Sequence, residues 1–130
     1  MFMLYNWPKD YPKNCPDDLK ENPGKYYRCI KNNRAIINDF YSPYQLGKPR
    51  IHSSNICENR SISIFSNIDD AINVIHQYPN FSKKFVVELN LRGNHGVIHR
   101  SPNNDNSHHD WWIPDNVNPL MYCGNIQGSF

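Results

Sequence analysis

The chain has 130 residues, of which 38% are hydrophobic and 13% are aromatic. This length predicts one domain with a single modest core, and the aromatic content argues against a disordered chain. No apolar run approaches the roughly 18–20 residues that span a bilayer, so we expect no membrane segment. The N-terminus has neither a basic n-region nor a long apolar h-region, so no signal peptide is predicted and the cytoplasm is the expected location.

The net charge of +2 conceals an asymmetry along the chain. Residues 1–50 contain nine lysines and arginines against five acidic residues, whereas residues 101–130 contain three aspartates and no lysine or arginine. The basic half would suit an anionic ligand or partner, including a nucleotide or a nucleic acid, although an imbalance of this size is more often a solvated surface.

The four cysteines are widely spaced and form no Cys-x-x-Cys pair; they are Cys15, Cys29, Cys57 and Cys123. This spacing predicts neither a zinc site nor a redox motif. The four cysteines could form two disulfides in an exported protein, but in the expected cytoplasmic location the thiols should be reduced.

The first half of the chain predicts little regular structure. Residues 1–24 contain four prolines and predict an extended arm packed on a domain formed by residues 25–130, with one short helix at 16–21. The aromatic-rich segment Lys25–Ile30 predicts the first strand. Residues 32–46 are interrupted by a proline and predict irregular structure with at most one helical turn.

The middle of the chain has the clearest periodicity. Arg60–Phe65 alternates as a strand does. Ser66 and Asp69 then match a capping box, and apolar residues at spacings of three and four predict an amphipathic helix that stops at Pro79. Residues 84–91 and 96–100 predict two further strands. The predicted class is therefore α+β: a small, mostly antiparallel sheet, one clear amphipathic helix and an extended Pro-rich N-terminal arm.

A histidine-rich segment follows and ends in Ser107–Trp112, SHHDWW. Five possible metal ligands lie close together in sequence: His95, His99, His108, His109 and Asp110. Their spacing matches no specific zinc pattern, so no metal ligand is assigned. An alternative is metal-free ribonuclease chemistry, in which His99 and either His108 or His109 exchange protons while Arg100 holds an anion.

The two adjacent tryptophans allow two interpretations. They could form a stacking platform for a base, or they could join Tyr41 and Tyr44 in an exposed protein interface. The second interpretation predicts a non-catalytic binding module with a protein partner, such as an immunity protein, an antitoxin or an accessory subunit. Because tryptophan is mostly buried in small domains, we expect one of Trp111 and Trp112 in the core and the other at the surface.

The order of polar residues on the predicted strands suggests a transferase. Arg28 lies on the first strand, Ser61 and Ser63 lie on the strand that enters the helix, and Glu88 lies on a later strand. This layout resembles that of ADP-ribosyltransferase-like folds, with Ser-Ile-Ser in place of the family's Ser-Thr-Ser. The resemblance implies an enzyme, possessing the character of a toxin or defence effector, that acts with NAD or another nucleotide.

The same resemblance implies roles for individual residues. Arg28 would bind a phosphate of the cofactor, Ser61 or Ser63 would support the nicotinamide pocket, and Glu88 would be the catalytic acid. His108 and His109 are further catalytic candidates, and Trp111 is a further cofactor-binding candidate.

The chain also resembles a group of small uncharacterised bacterial proteins. The shared features are a Tyr27-Arg28 strand, a Ser63-Ile64-Phe65 strand that enters a helix, and an ending with His108-His109-Asp110-Trp111-Trp112. This second resemblance implies a stand-alone module and no activity.

Overall fold

The computed structural model describes residues 5–8, 15, 19–48, 56–101 and 105–130. Within these residues, six strands form one sheet: β1 (Gly24–Ile30), β2 (Ile62–Phe65), β3 (Phe85–Leu91), β4 (Val97–Arg100), β5 (His108–Trp112) and β6 (Cys123–Ser129). Their order across the sheet is β4-β5-β2-β1-β3-β6, and each neighbouring pair is antiparallel. Helix α1 spans Ile56–Asn59 and α2 spans Ile68–Gln77, while Ile37–Phe40 and Pro119–Tyr122 form 3-10 turns. This architecture confirms the α+β class.

Helix α2 forms where the periodicity predicts it, but its cap differs from the prediction. The N-cap is Asn67, whose side-chain oxygen accepts a hydrogen bond from the Asp69 amide at 2.9 Å. The predicted capping residue, Ser66, lies one position too early to be the N-cap. The helix buries Ala71 and Ile75 against the sheet, and it ends at Gln77, two residues before Pro79.

Alternation along the strands separates two apolar clusters, one on each face of the sheet. The face under α2, called here the helix face, holds Cys29, Phe65 and Val86 packed against the helix. The opposite face holds the larger core, covered by the 3-10 turns; its members include Tyr26, Ile30, Phe40, Ile62, Ile64, Val87, Leu89, Leu91, Ile98, Trp111 and Tyr122.

Both tryptophans of β5 are buried, with 0% of Trp111 and 2% of Trp112 exposed. The Trp111 indole N–H donates to the His95 carbonyl and that of Trp112 donates to the Cys57 carbonyl, each at 2.7 Å. The prediction that one tryptophan lies at the surface was wrong, because Trp112 is buried against α1, where Cys57 accepts its hydrogen bond. Neither ring is available as an exposed interface residue.

The N-terminal arm contacts the sheet at several described positions. Tyr5 packs against the larger core, and the Ile98 amide donates to the Lys20 carbonyl at 2.6 Å. Residues 16–18 of the predicted helix at 16–21 lie outside the described residues, and residues 19–21 are not helical. Extended pairing with β4 takes the place of helical structure there.

A disulfide joins Cys15 in the arm to Cys57 in α1. The expectation of reduced thiols is therefore wrong for this pair. Cys29 and Cys123 are free, and burial raises the pKa of each thiol to about 11. These two thiols are thus poor nucleophiles at neutral pH.

Reduction of the disulfide should destabilise the fold. The bond closes a loop with a sequence separation of 42 residues, and loops of this length are stabilised by about 2–4 kcal/mol when cross-linked. Chemical denaturation with and without dithiothreitol measures the difference, and Cys15→Ser is the matched control because it has no disulfide to reduce. An unchanged free energy of unfolding on reduction would contradict the prediction.

Gly96 lies where a side chain has no room. Its φ is +105°, and a Cβ there would lie 2.2 Å from the Trp112 carbonyl oxygen. We expect Gly96→Ala to lower the free energy of unfolding by about 3 kcal/mol or more, since both strain and a backbone clash contribute. Gly47→Ala is the control: Gly47 also has positive φ but no neighbour within 4 Å, so its cost should stay near 1 kcal/mol. Equal losses measured by urea denaturation would overturn this account.

Candidate functional site

A pocket of about 430 Å³ opens beside α2, where β1 and β2 diverge. Among the described residues, the register between these strands consists of one pair, Tyr27 with Phe65, so the strands separate beyond it. The pocket is lined by Arg28, Cys29, Ile62, Ser63, Phe65 and His108 from the strands, Val74 and Tyr78 near the end of α2, and Tyr41, Pro43, Leu46, Phe81 and Lys83 from loops. Three of the predicted site residues, Arg28, Ser63 and His108, therefore share one pocket.

Arg28 bridges the gap between the diverging strands. Its side chain is buried, with 6% of the residue exposed. Nε and Nη2 donate to the Asp39 carbonyl at 3.0 and 2.9 Å, and Nη1 donates to the Ser63 carbonyl at 2.8 Å. A buried guanidinium requires such partners, and these fix its charge in the wall of the pocket.

Ser63 and His108 come together because β2 and β5 are adjacent and antiparallel. Ser63 is opposite Asp110 and Phe65 is opposite His108, so all four side chains share the helix face. The Ser63 hydroxyl lies 2.8 Å from His108 Nε2, and the imidazole packs edge-on against the Phe65 ring with centroids 5.4 Å apart. Both polar groups are thereby presented to the pocket.

The other nitrogen of His108 continues a hydrogen-bonded chain. Ser101 Oγ contacts His108 Nδ1 and donates to Asp110 Oδ2 at 3.2 Å. Ser61 Oγ lies 3.3 Å from Asp110 Oδ1, and the closer acceptor for its one proton is the Glu58 carbonyl at 2.8 Å. Because a carboxylate only accepts and a serine hydroxyl has one proton, Ser101 must accept from His108 Nδ1–H. The neutral imidazole therefore leaves Nε2 as the acceptor for the Ser63 hydroxyl.

Lys83 adds a second cationic group to the pocket. Burial lowers the pKa of its ammonium, and the nearby charge of Arg28 lowers it further, against an opposing effect from Asp39. No carboxylate lines the pocket in the part of the chain that is described. The pocket therefore combines positive charge with apolar and aromatic walls.

Glu88 does not join the other residues of the transferase hypothesis. It lies on β3, where its carboxylate pairs with Lys25 Nζ at 3.3 Å and accepts from Gln127 Nε2 at 3.2 Å. It is not among the residues that line the pocket with Arg28 and Ser63. An ordinary partly exposed ion pair accounts for these contacts.

Three other predicted site residues are buried in the packed interior of the fold: His109, Trp111 and Ser61. His109 faces the opposite side of the sheet from His108; its Nδ1 lies 2.7 Å from the Ser107 carbonyl oxygen and its ring packs edge-on against Tyr26. Trp111 is in the core, and Ser61 is fully buried against Asp110 and the Glu58 carbonyl. These three residues do not line the pocket.

The possible metal ligands do not all meet in the fold, although the register places His99 opposite Asp110. His95 is buried on the larger core, where it contacts the Glu21 carbonyl and the rings of Trp111 and Tyr122. No group of three or more His, Cys, Asp or Glu side chains that could hold a metal ion occurs among residues with described positions. Of the residues proposed for ribonuclease chemistry, His108 lines the pocket, whereas His99 and Arg100 are not among its lining residues.

Sequence reasoning missed Ser101 and Lys83. Ser101 follows β4 immediately, and its role depends on the distance across the β4–β5 hairpin, which no local pattern encodes. Lys83 and Lys84 are adjacent and chemically identical in sequence, so only the fold determines that Lys83 faces the pocket. The sequence offered one signal for this hydrogen-bonded chain: Asp110 follows His108 by two residues, and positions two apart on a strand share a face.

Comparison with protein-family models, with curated proteins and with solved structures found no significant match to this chain. Both resemblances inferred from the sequence therefore stay predictions. No helix within the described ranges is long and apolar enough to cross a membrane.

Acidification should destabilise the fold through the buried His109 side chain. Burial lowers the pKa of His109 below its ordinary value of 6.5. As the pH falls below about 6.5, the unfolded chain takes up a proton that the folded protein resists, so this contribution to stability is lost on acidification. We expect His109→Gln to reduce the slope of the free energy of unfolding between pH 7.5 and 5, measured by urea denaturation.

The matched control is His76→Gln, because His76 is exposed at the end of α2. That variant should retain the slope of the unsubstituted protein. A slope that His109→Gln leaves unchanged would show that His109 is protonated equally easily in both states.

Proposed function

We propose that the pocket binds a small molecule that has an anionic group and a planar ring, with a nucleotide as the chemical class that fits best. The observation that carries this proposal is the convergence of Arg28 and Lys83 with the polar pair Ser63 and His108 in one pocket. Positive charge in a partly desolvated site attracts anions more strongly than the same charge at an open surface.

The size and walls of the pocket agree with such a ligand. Its volume of about 430 Å³ lies within the range of roughly 300–1,000 Å³ that is usual for small-molecule sites. Phe65, Phe81 and Tyr41 supply aromatic surface against which a base can pack. The hydroxyl and the imidazole add donors and acceptors that would orient the bound molecule.

The transfer of ADP-ribose through Glu88 is not part of this proposal. Glu88 pairs with Lys25 away from the pocket, so its geometry lends no support to a role on a ligand held by Arg28 and Lys83. NAD remains a useful probe because it contains the phosphates and the adenine that the pocket is proposed to accept.

The burial of two proposed interface residues weakens the binding-module hypothesis. Of its four interface aromatics, Trp111 and Trp112 are buried, whereas Tyr44 is 44% exposed, with one face of its ring against the Arg60 guanidinium at 3.8 Å. We therefore propose no protein partner from these residues.

The location of the protein is also a proposal. Disulfides persist mainly in oxidising compartments and are rare in the cytosol. The Cys15–Cys57 bond therefore favours an oxidising compartment over the cytoplasm expected from the sequence.

Removal of the Lys83 charge should weaken binding of the anionic ligand. We expect ADP to bind the unsubstituted protein and Lys83→Met to raise its Kd about tenfold or more, since hydrogen bonds to charged groups are worth about 1.5–3 kcal/mol. Lys84→Met is the matched control, because Lys84 is adjacent but does not line the pocket. Isothermal titration calorimetry with ADP, NAD and pyrophosphate measures these constants.

Thermal stability gives an independent measurement. Ligand at 100 times its Kd stabilises a fold by about 2.7 kcal/mol, which raises the melting temperature by several degrees for a domain of this size. If ADP, NAD and pyrophosphate all fail to bind, or if the two lysine variants weaken binding equally, the proposal is refuted.

A further inference from the structure

We propose that Ser63 is a nucleophile, activated by His108, that transfers an acyl group from an ester to water. The proposal goes beyond ligand binding and uses the proposed pocket only as the space in which the substrate lies. It stands on the chain of contacts from the Ser63 hydroxyl through His108 and Ser101 to Asp110.

The direction of this chain is what makes Ser63 reactive. The Asp110 carboxylate accepts a hydrogen bond from the Ser101 hydroxyl, so Ser101 Oγ accepts from His108 Nδ1–H. His108 Nε2 then has a lone pair directed at the Ser63 hydroxyl at 2.8 Å. This is the arrangement in which an imidazole acts as a general base towards a serine.

The location of the four residues separates the reacting end from the supporting end. Ser63 and His108 line the pocket, whereas Ser101 and Asp110 do not. Asp110 Oδ1 also lies 3.3 Å from the hydroxyl of Ser61, a fully buried residue. The substrate would thus meet Ser63 and His108, while Ser101 and Asp110 position the imidazole from behind.

The reaction has two steps that balance. Ser63 Oγ bonds to the ester carbonyl carbon as its proton passes to His108 Nε2; the C–O bond to the alcohol then breaks and His108 returns that proton to the alcohol. In the second step a water molecule attacks the acyl-serine ester while His108 takes its proton. The Ser63–acyl bond breaks, the proton returns to Ser63 Oγ, and a carboxylic acid is released.

The charges of the pocket favour this chemistry over simple hydrogen bonding. Negative charge develops on the carbonyl oxygen when Ser63 attacks, and a site that already contains cationic groups stabilises that charge. Arg28 and Lys83 supply positive charge in the same pocket. Because the Arg28 guanidinium is fixed by hydrogen bonds to two carbonyls, it need not move during the reaction.

A fluorophosphonate probe tests the nucleophile on the full-length protein. Ser63 Oγ would bond to phosphorus and displace fluoride, with the serine proton leaving through His108. We expect one adduct, located on Ser63 by peptide mass spectrometry, and none with Ser63→Ala. His108→Gln should slow labelling at least 100-fold, whereas Ser66→Ala, at an exposed serine, should label at the unsubstituted rate.

Ser101→Ala tests the positioning of the imidazole without removing it. We expect the maximal rate of labelling to fall tenfold or more while the probe concentration for half-maximal rate is unchanged. A purely structural role for Ser101 would alter the melting temperature and leave that rate intact. This variant also keeps the proposal testable if His108→Gln does not fold.

The outcomes separate this proposal from ligand binding. Absence of an adduct on Ser63, or labelling that is independent of both His108 and Ser101, would contradict the assignment of Ser63 as a nucleophile, whether or not ADP binds. Conversely, Ser63→Ala should still bind ADP if Arg28 and Lys83 hold the anion. Loss of ADP binding in Lys83→Met, together with slower labelling of Ser63 that still depends on His108, would support both proposals.

Discussion

The hydrogen bonds from the Arg28 guanidinium to two backbone carbonyls hold the sheet together where its central ladder ends. β1 and β2 share one register pair, Tyr27 with Phe65, and beyond it Arg28 reaches the Ser63 carbonyl from one strand to the other. A side chain thus replaces backbone pairing, which keeps the strands linked while they separate. The pocket occupies the resulting gap, so the same residue is responsible for the integrity of the sheet and for the opening in it.

Antiparallel pairing of β2 with β5 then determines which polar groups the pocket receives. The register places Ser63 opposite Asp110 and Phe65 opposite His108, and alternation directs all four to the helix face. His109 and Trp111 point the other way and complete the larger core. A shift of one residue would exchange the two sets, burying His108 and presenting His109, so the chemistry of the pocket depends on register as much as on residue type.

The sequence predicted the elements whose periodicity is strong, and the reasons for its failures are physical. The strand at β3 and the helix α2 have clear apolar repeats. β6, with sequence CGNIQGS, has none, so its extended structure depends on pairing with β3 and not on a local pattern. Trp112 and Cys57 are brought together by α1, a single turn too short to have a periodic signal. The order of polar residues along the strands suggested Arg28 and Ser63, and the histidine-rich segment suggested His108. The separation of Glu88 from them depends on the three-dimensional arrangement of the strands.

Ligand binding and protonation should be linked at Lys83. Burial and the charge of Arg28 both disfavour the ammonium form of Lys83, because two cations close together in a partly desolvated pocket repel each other. An anion bound between them would reverse the second effect and favour protonation of Lys83. Above the lowered pKa of Lys83 in the free protein, binding would take up a proton, so affinity would fall as the pH rises from that pKa to the higher pKa of the complex. An anion bound beside Arg28 and Lys83 would relieve the repulsion between them. The pocket should therefore favour anionic ligands in general, whichever substrate carries the anionic group.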